Sequence, residues 1–156
     1  MAKYIEANLT SSEEIVLEAS VSWWSQWFPL FLGGLMVLAG ALSRNVGLIF
    51  IGFIPIATAY LRVTSTELAL TTKRVMAKTG VISRDTVELR LEKVEGLYVQ
   101  QSVFGRIFNY GTIVVSGTGG LKTPIPFISD PIYFRNIFNE FLDDPESFYE
   151  YEEDDE

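Results

Sequence analysis

The distribution of apolar and polar positions is dominated by one run, Trp23 to Arg62, which reads WWSQWFPLFLGGLMVLAGALS, then Arg44-Asn45, then VGLIFIGFIPIATAYL. Arg44 and the closing Arg62 are its only charged residues. A single helix over the run would be about 60 Å long at ~1.5 Å per residue, about twice a bilayer's hydrocarbon core, so the run must turn once. The polar cluster Ser43-Arg44-Asn45 is the predicted turn, leaving membrane helices over Trp23–Ser43 and Val46–Leu61. At about 24 Å the second falls short of a ~30 Å core. Arg62 is therefore expected to snorkel, Tyr60 to sit at headgroup level and the bilayer to thin. Length and continuity disfavour a buried soluble hairpin. The glutamates ahead of the run and the lack of a basic n-region disfavour a cleaved signal peptide.

Before this run, residues 1–14 are polar, and Ser11-Ser12-Glu13-Glu14 has the S-x-x-E form that caps a helical turn. Ile15, Leu17, Ala19 and Val21 then alternate with Val16, Glu18, Ser20 and Ser22, which predicts a half-buried strand over Ile15–Ser22. That strand either docks on a downstream sheet or trails as a juxtamembrane arm. After Arg62, short β-branched and aromatic runs are broken by turn formers, the texture of antiparallel β-structure. Strands are predicted near Ser65–Leu70, Arg74–Thr79, Val81–Ser83, Thr86–Leu91, Leu97–Ser102, Thr112–Ser116 and Lys122–Phe127. Val87, Leu89 and Leu91 form a core face against Glu88, Arg90 and Glu92. Asp130-Pro131 then opens a helix with an N-cap acid and proline at its first position, and Phe134, Ile137, Phe138, Phe141 and Leu142 form one apolar stripe. The expected organisation is an arm over residues 1–22, a hairpin over 23–62, one soluble domain over 63–142 and an acidic, disordered tail over 143–156.

Charge refines this picture. The net charge of −8 is carried by the tail, which holds nine of the twenty acids, whereas Val63–Leu142 has nine bases against seven acids, or +2. That is too weak for nucleic-acid binding. Two spans put both chain ends on one side, and Arg62, Lys73, Arg74 and Lys78 identify that side as cytoplasmic by the positive-inside bias. Trp23, Trp24 and Trp27 form an aromatic belt at the cytoplasmic interface, with Tyr60 and Arg62 at the exit. Gly33, Gly34, Gly40, Gly47 and Gly52, with Ala39 and Ser43, offer small surfaces for close helix approach, and Pro55 is expected to kink the second span. Cysteine and histidine are absent, which removes thiolate nucleophiles, the common zinc sites and the usual neutral-pH proton carrier. No cofactor is expected, and no reaction signature is present.

Several stretches together resemble the bacterial pleckstrin-homology (PH) domain membrane proteins. They are YIEANLTSSEEIVLEASVSWW ahead of two spans, LALTTKRVMAKTGVISRDTVELRLEKVEGLYVQQSVFGRIFNYGTIVV, and PIPFISDPIYFRNIF. The resemblance implies a membrane-anchored α+β protein of a bacterial cytoplasmic membrane, with a strongly bent antiparallel sheet of about seven strands capped by a C-terminal helix. It also implies a binding or assembly module rather than an enzyme. Lys73, Arg74, Lys78 and Arg84 fall in the region comparable to where eukaryotic PH domains hold phosphoinositides, and become candidates for anionic lipid headgroups; for Thr72-Lys73-Arg74 a solvated turn with positive-inside charge is an equally good explanation.

Gly105-Arg106-Ile107-Phe108-Asn109-Tyr110-Gly111 is either a structural turn, with Phe108 buried and Gly111 at positive φ, or an exposed contact loop anchored by Arg106 and Tyr110. Gln100 is a neighbouring sheet-edge polar residue, and Gly117-Thr118-Gly119-Gly120 reads as a hairpin loop rather than a phosphate loop. The functional expectation is a membrane-tethered scaffold that contacts a protein partner or further copies of itself as a homo-oligomer. Recognition of anionic lipid, or an oligomeric pore or transport accessory, are the alternatives.

Overall fold

The computed structural model describes residues 3–80 and 85–145. In chain order the elements are α1 (Lys3–Asn8), β1 (Ile15–Ser20), a 3₁₀ turn (Trp23–Gln26), α2 (Trp27–Leu42), α3 (Val46–Ser65), β2 (Glu67–Thr71), β3 (Arg74–Thr79), β4 (Asp85–Arg90), β5 (Val94–Gln100), α4 (Val103–Ile107), β6 (Tyr110–Gly117), β7 (Leu121–Ser129) and α5 (Pro131–Asp143). Two antiparallel sheets form, with strand orders β1-β2-β3-β4 and β5-β6-β7. The strand expected over Val81–Ser83 and the candidate Arg84 lie outside the described residues. Among the described residues, the seventh strand is the N-terminal β1, docked beside β2 with Ser20 opposite Glu67 and Leu17 opposite Leu70.

The helix pair is thus the connection of a β-hairpin: β1 leads into it, β2 leads out, and the two strands pair. Just past β1, Val21 bridges Ile128 of β7 and the Ser22 N–H donates to the Phe127 carbonyl at 2.8 Å. A bulge makes this possible. Between the pairs Gly111–Ile128 and Ile113–Ile125, β7 carries one extra residue, and Phe127 adopts a φ of 65°. The chain entering the helices is therefore tied to both sheets.

The core lies between the sheets. Leu68, Leu70, Val75, Ala77 and Leu89 face Leu97, Ile113, Val115 and Ile125, and α5 closes the open end with Phe134, Phe138 and Phe141. Ile137 is half-buried and Leu142 exposed, so the stripe of α5 is narrower than the sequence suggests. The outer face of the first sheet also carries apolar residues, Ala69 and Met76, and α1 covers them by burying Ile5. The polar look of residues 1–14 hides this helix. No helix forms over Ser11-Ser12-Glu13-Glu14.

Trp23–Leu42 and Val46–Ser65 are each twenty residues long and apolar enough to cross a membrane. Only 17% and 11% of their apolar windows are buried within the structure, so the pair is not a covered core. The turn falls at Ser43-Arg44-Asn45. Asn45 N–H reaches the Gly40 carbonyl at 2.8 Å and Arg44 N–H the Ala41 carbonyl at 3.3 Å, the Schellman pattern, with Arg44 left-handed at φ 53°. Asn45 then caps α3 by accepting from Leu48 N–H at 3.2 Å. α3 runs through Pro55 and on to Ser65, four residues beyond Leu61. At about 30 Å it matches a hydrocarbon core, so the thinning expected from a 16-residue span loses its basis.

Three of the five glycines make the helix contact. A Cβ on Gly33 would meet Ile56 at 2.6 Å, on Gly40 would meet Ile49 at 2.8 Å, and on Gly52 would meet Val37 at 2.8 Å, whereas Gly34 faces open space. Replacing Gly40 or Gly52 by leucine is expected to destabilise the pair by about 1–3 kcal/mol, and Gly34→Leu to have little effect. Chemical denaturation in detergent micelles measures the difference.

Candidate binding cleft

Antiparallel pairing gives the domain two ends. One carries the helix pair, Ser20 and Glu67; at the other, Ile15 pairs with Thr71. A cleft of about 430 Å³ opens at this second end. Its walls are the 10–13 segment, the β2–β3 turn, and the Leu91–Glu92 stretch between β4 and β5. The turn is fixed locally, since Leu91 N–H donates to the Lys73 carbonyl at 3.1 Å and Arg74 N–H to Thr71 Oγ1 at 3.1 Å.

Arg74 organises the cleft floor. Its Nε donates to Glu13 Oε1 at 2.8 Å and its Nη2 to Glu13 Oε2 at 2.8 Å, a bidentate fork. Nη1 reaches Glu88 Oε2 at 2.6 Å and Nη2 also donates to the Asn8 carbonyl at 2.9 Å. Thr71 Oγ1 completes the set by donating to Glu13 Oε1 at 2.7 Å. The Glu13 side chain is 1% exposed. The hydrogen bonds from Arg74 hold its carboxyl down to about 2, from the usual 4.5, against the opposing effect of burial, with Thr71 adding to the depression. The same contacts push the Arg74 guanidinium up. Glu13 is therefore a structural carboxylate that stays ionised at neutral pH. The charges left on the cleft rim are Lys73, which donates to Ser12 Oγ, Arg90 and Glu92, all exposed.

The three basic candidates among the described residues do not form one cluster. Lys73 and Arg74 sit at the cleft, but Arg74 is committed to two carboxylates and a carbonyl and is not a free headgroup cation. Lys78 is at the opposite end of β3, 3.7 Å from Glu67 and over the Tyr4 ring at 5.0 Å. Sequence reading missed Glu13 as the central acid, because nothing along the chain separates it from Glu14. Its distinction comes from partners 58 and 61 residues away.

The contact-loop candidates lie at the helix-pair end. Gln100 and Arg106 are exposed, but Tyr110 is only 9% exposed as the first residue of β6, which withdraws it as a surface anchor. Gly111 lacks a positive φ; Asn109 takes the left-handed position at 52°. Gly111 is required instead by the close approach of the Gln100 carbonyl, 2.8 Å from where a Cβ would stand. Phe108 is half-buried and stacks on Trp24 with centroids 5.0 Å apart. Asp130 precedes α5 in a left-handed conformation at φ 46° and makes no side-chain cap; its carboxylate accepts from Asn109 Nδ2 instead. Trp23 packs near Tyr60 at 6.3 Å, and with Trp24 and Trp27 these rings surround the base of the helix pair, while Arg62 is exposed on α3. Gly117–Gly120 forms the β6–β7 hairpin loop, with positive φ at Gly119 and Gly120. Among the described residues no group of three or more His, Cys, Asp or Glu side chains is arranged to hold a metal ion.

A family model described as "Bacterial PH domain" matches residues 27–140, which takes in α2, α3 and strands β2–β7. A crystal structure of a DUF1696 family protein with a pleckstrin-homology domain, from Shewanella loihica PV-4, is 8% identical and covers 90% of this chain and 91% of its own, with a TM-score of 0.46. A comparison with curated proteins finds no match.

The stability that the Glu13–Arg74 pair supplies is complete above the ordinary glutamate value of 4.5 and is lost as pH falls toward about 2, because the folded-state pKa is the lower one. Glu13→Gln should flatten the acid limb of stability in that window, read by urea denaturation at successive pH values. Arg74→Met, which leaves a buried carboxylate unpaired, should cost about 3 kcal/mol at neutral pH. The double variant should cost clearly less than the sum of the two.

Proposed function

The chain belongs to the bacterial PH domain family, and from that premise we propose that it is a membrane-tethered binding and scaffolding module whose far-end cleft engages a protein. In this reading α2 and α3 cross the cytoplasmic membrane, and the domain and both chain ends lie on the cytoplasmic side, in keeping with the basic residues that follow α3. Confinement to a surface raises the effective concentration of the module, so modest contacts suffice for assembly.

One observation carries the choice of a protein over a lipid ligand. β2 leaves α3 and runs five residues before the β2–β3 turn, which puts Lys73 and the cleft about 17 Å beyond the helix-pair end, facing away from a bilayer that holds the helices. Recognition of headgroups by Lys73 and Arg74 would require the domain to fold back against its own anchor. On the cleft rim Lys73 and Arg90 outnumber Glu92, which favours an acidic or polar segment of a partner or of another copy of this chain. The Glu13–Arg74 pair acts here as a preformed floor, held before any ligand arrives.

The chain has no cysteine, so single-cysteine variants report its disposition cleanly. In intact cells Arg44→Cys should react with a membrane-impermeant maleimide, and Thr118→Cys only once the cells are opened. A photo-crosslinking residue at Arg90 in the same membranes should capture a protein, and Lys73→Glu should reduce that capture several-fold. Exclusive capture of lipid at Arg90, or labelling of Thr118→Cys from outside, would overturn the reading.

A further inference from the structure

The short helix α4 is the most conspicuous unpartnered surface of the domain. Val103 is 73% exposed, Phe104 55% and Ile107 67%, three large apolar side chains on a five-residue helix. Such a patch is not the product of a loose loop. Ser102 caps the helix by accepting from Gly105 N–H at 3.1 Å, and Gln101 Nε2 donates to the Tyr110 carbonyl at 3.2 Å. Gly105 packs so closely on β6 that a Cβ would stand 2.5 Å from the Tyr110 carbonyl oxygen. The helix is fastened by its inner face and presents its outer face.

Where it is fastened decides the partner. Phe104 lies 6.1 Å from Trp27 at the start of α2, and Phe108, which follows α4, stacks on Trp24. Trp23 in turn lies beside Tyr60 of α3. The apolar face of α4 is therefore continuous with the aromatic residues at the base of the helix pair, at the depth where tryptophan and tyrosine settle between headgroups and acyl chains. Arg106 is exposed on the same helix, with a guanidinium suited to lipid phosphates.

We infer that α4 is a third membrane contact: Val103, Phe104 and Ile107 insert into the interfacial layer of the same leaflet from which α2 and α3 emerge, and seat the domain on the bilayer. This rests on the reading of α2 and α3 as membrane spans. It assigns the 103–107 segment to lipid instead of to the protein contact expected of Arg106, and it fixes the tilt of the domain so that the cleft at its other end stays clear of the surface.

The test uses the full chain reconstituted in vesicles of phosphatidylcholine and phosphatidylglycerol, with an environment-sensitive fluorophore on single cysteines. Val103→Cys and Phe50→Cys report α4 and the middle of the helix pair, and Leu121→Cys, exposed on the far β6–β7 hairpin, serves as the aqueous reference. All three sites are exposed, so the label displaces no core residue. The Val103 probe should be quenched by lipids carrying a nitroxide near the headgroup and be several-fold less sensitive to iodide than the Leu121 probe, while the Phe50 probe responds to deep nitroxides. Iodide access at Val103 equal to that at Leu121, with Phe50 still quenched by lipid, would overturn this inference and leave the anchor reading intact. Loss of lipid quenching at Phe50 would overturn both. Crosslinking of Val103 to a second copy, without lipid quenching, would assign the patch to self-association and overturn the lipid contact.

Discussion

The pairing of β1 with β2 is the constraint on which the rest of this molecule depends. The two strands are neighbours in a sheet, yet the chain between them contains the whole apolar helix pair. Because Ser20 must lie opposite Glu67, the path out and the path back have to begin and end within one strand spacing of each other. Two antiparallel helices joined by a tight turn meet that condition, and one helix does not. The Val21–Ile128 bridge and the Ser22–Phe127 hydrogen bond extend the clamp to the second sheet, so the pair rises from the corner where both sheets meet. A helix pair held this way fixes the orientation of the domain, which a flexible linker would not.

Arg74 plays the corresponding role at the opposite end. A guanidinium offers donors in a rigid fork, and here they reach Glu13, Glu88 and the Asn8 carbonyl, joining the 9–14 segment, β4 and the end of α1 to the start of β3. Burying Glu13 costs desolvation energy that the bidentate pair and the Thr71 hydroxyl offset. At its other end α1 is secured by Glu67, which accepts from Tyr4 N–H at 3.0 Å and also faces Lys78. Of the basic residues that suggest a headgroup site, Arg74 and Lys78 are thus used internally, and Lys73 stays on the rim with Arg90.

Taken together, the two ends of the domain differ in kind. The helix-pair end is aromatic and apolar, with Trp23, Trp24, Trp27, Tyr60 and the outer face of α4. The far end is polar and concave, with its buried charges paired. In the proposed reading a bilayer takes the first, since it rewards exposed rings and aliphatics at the interface, and a protein takes the second, since preformed charge and shape favour specific contact.

The helix pair, its turn at Ser43–Asn45, most strands and α5 were legible in the sequence, because each rests on a local pattern: unbroken hydrophobicity, period-two alternation, or a 3.6-residue stripe behind Asp130-Pro131. Local patterning also marked Ile15–Ser20 as a strand, but its partner was a matter of register between residues some fifty apart. The same holds for the helix over Lys3–Asn8, whose buried Ile5 has meaning only against Ala69 and Met76. Phe104 and Tyr110 are aromatics six residues apart, each next to a glycine, yet one turns out and the other in, according to where β6 begins and what Gly105 packs on. Glu13 differs from its neighbour Glu14 in facing Thr71 and Arg74. The sequence by itself determined the apolar helix pair, most of the strands and α5, since those follow from interactions a few residues apart, whereas α1 and α4 emerged only with the packing around them. Which charges are paired, which ring is exposed and which way the cleft faces were decided by the tertiary structure alone, since each depends on groups that meet only when distant strands come into register.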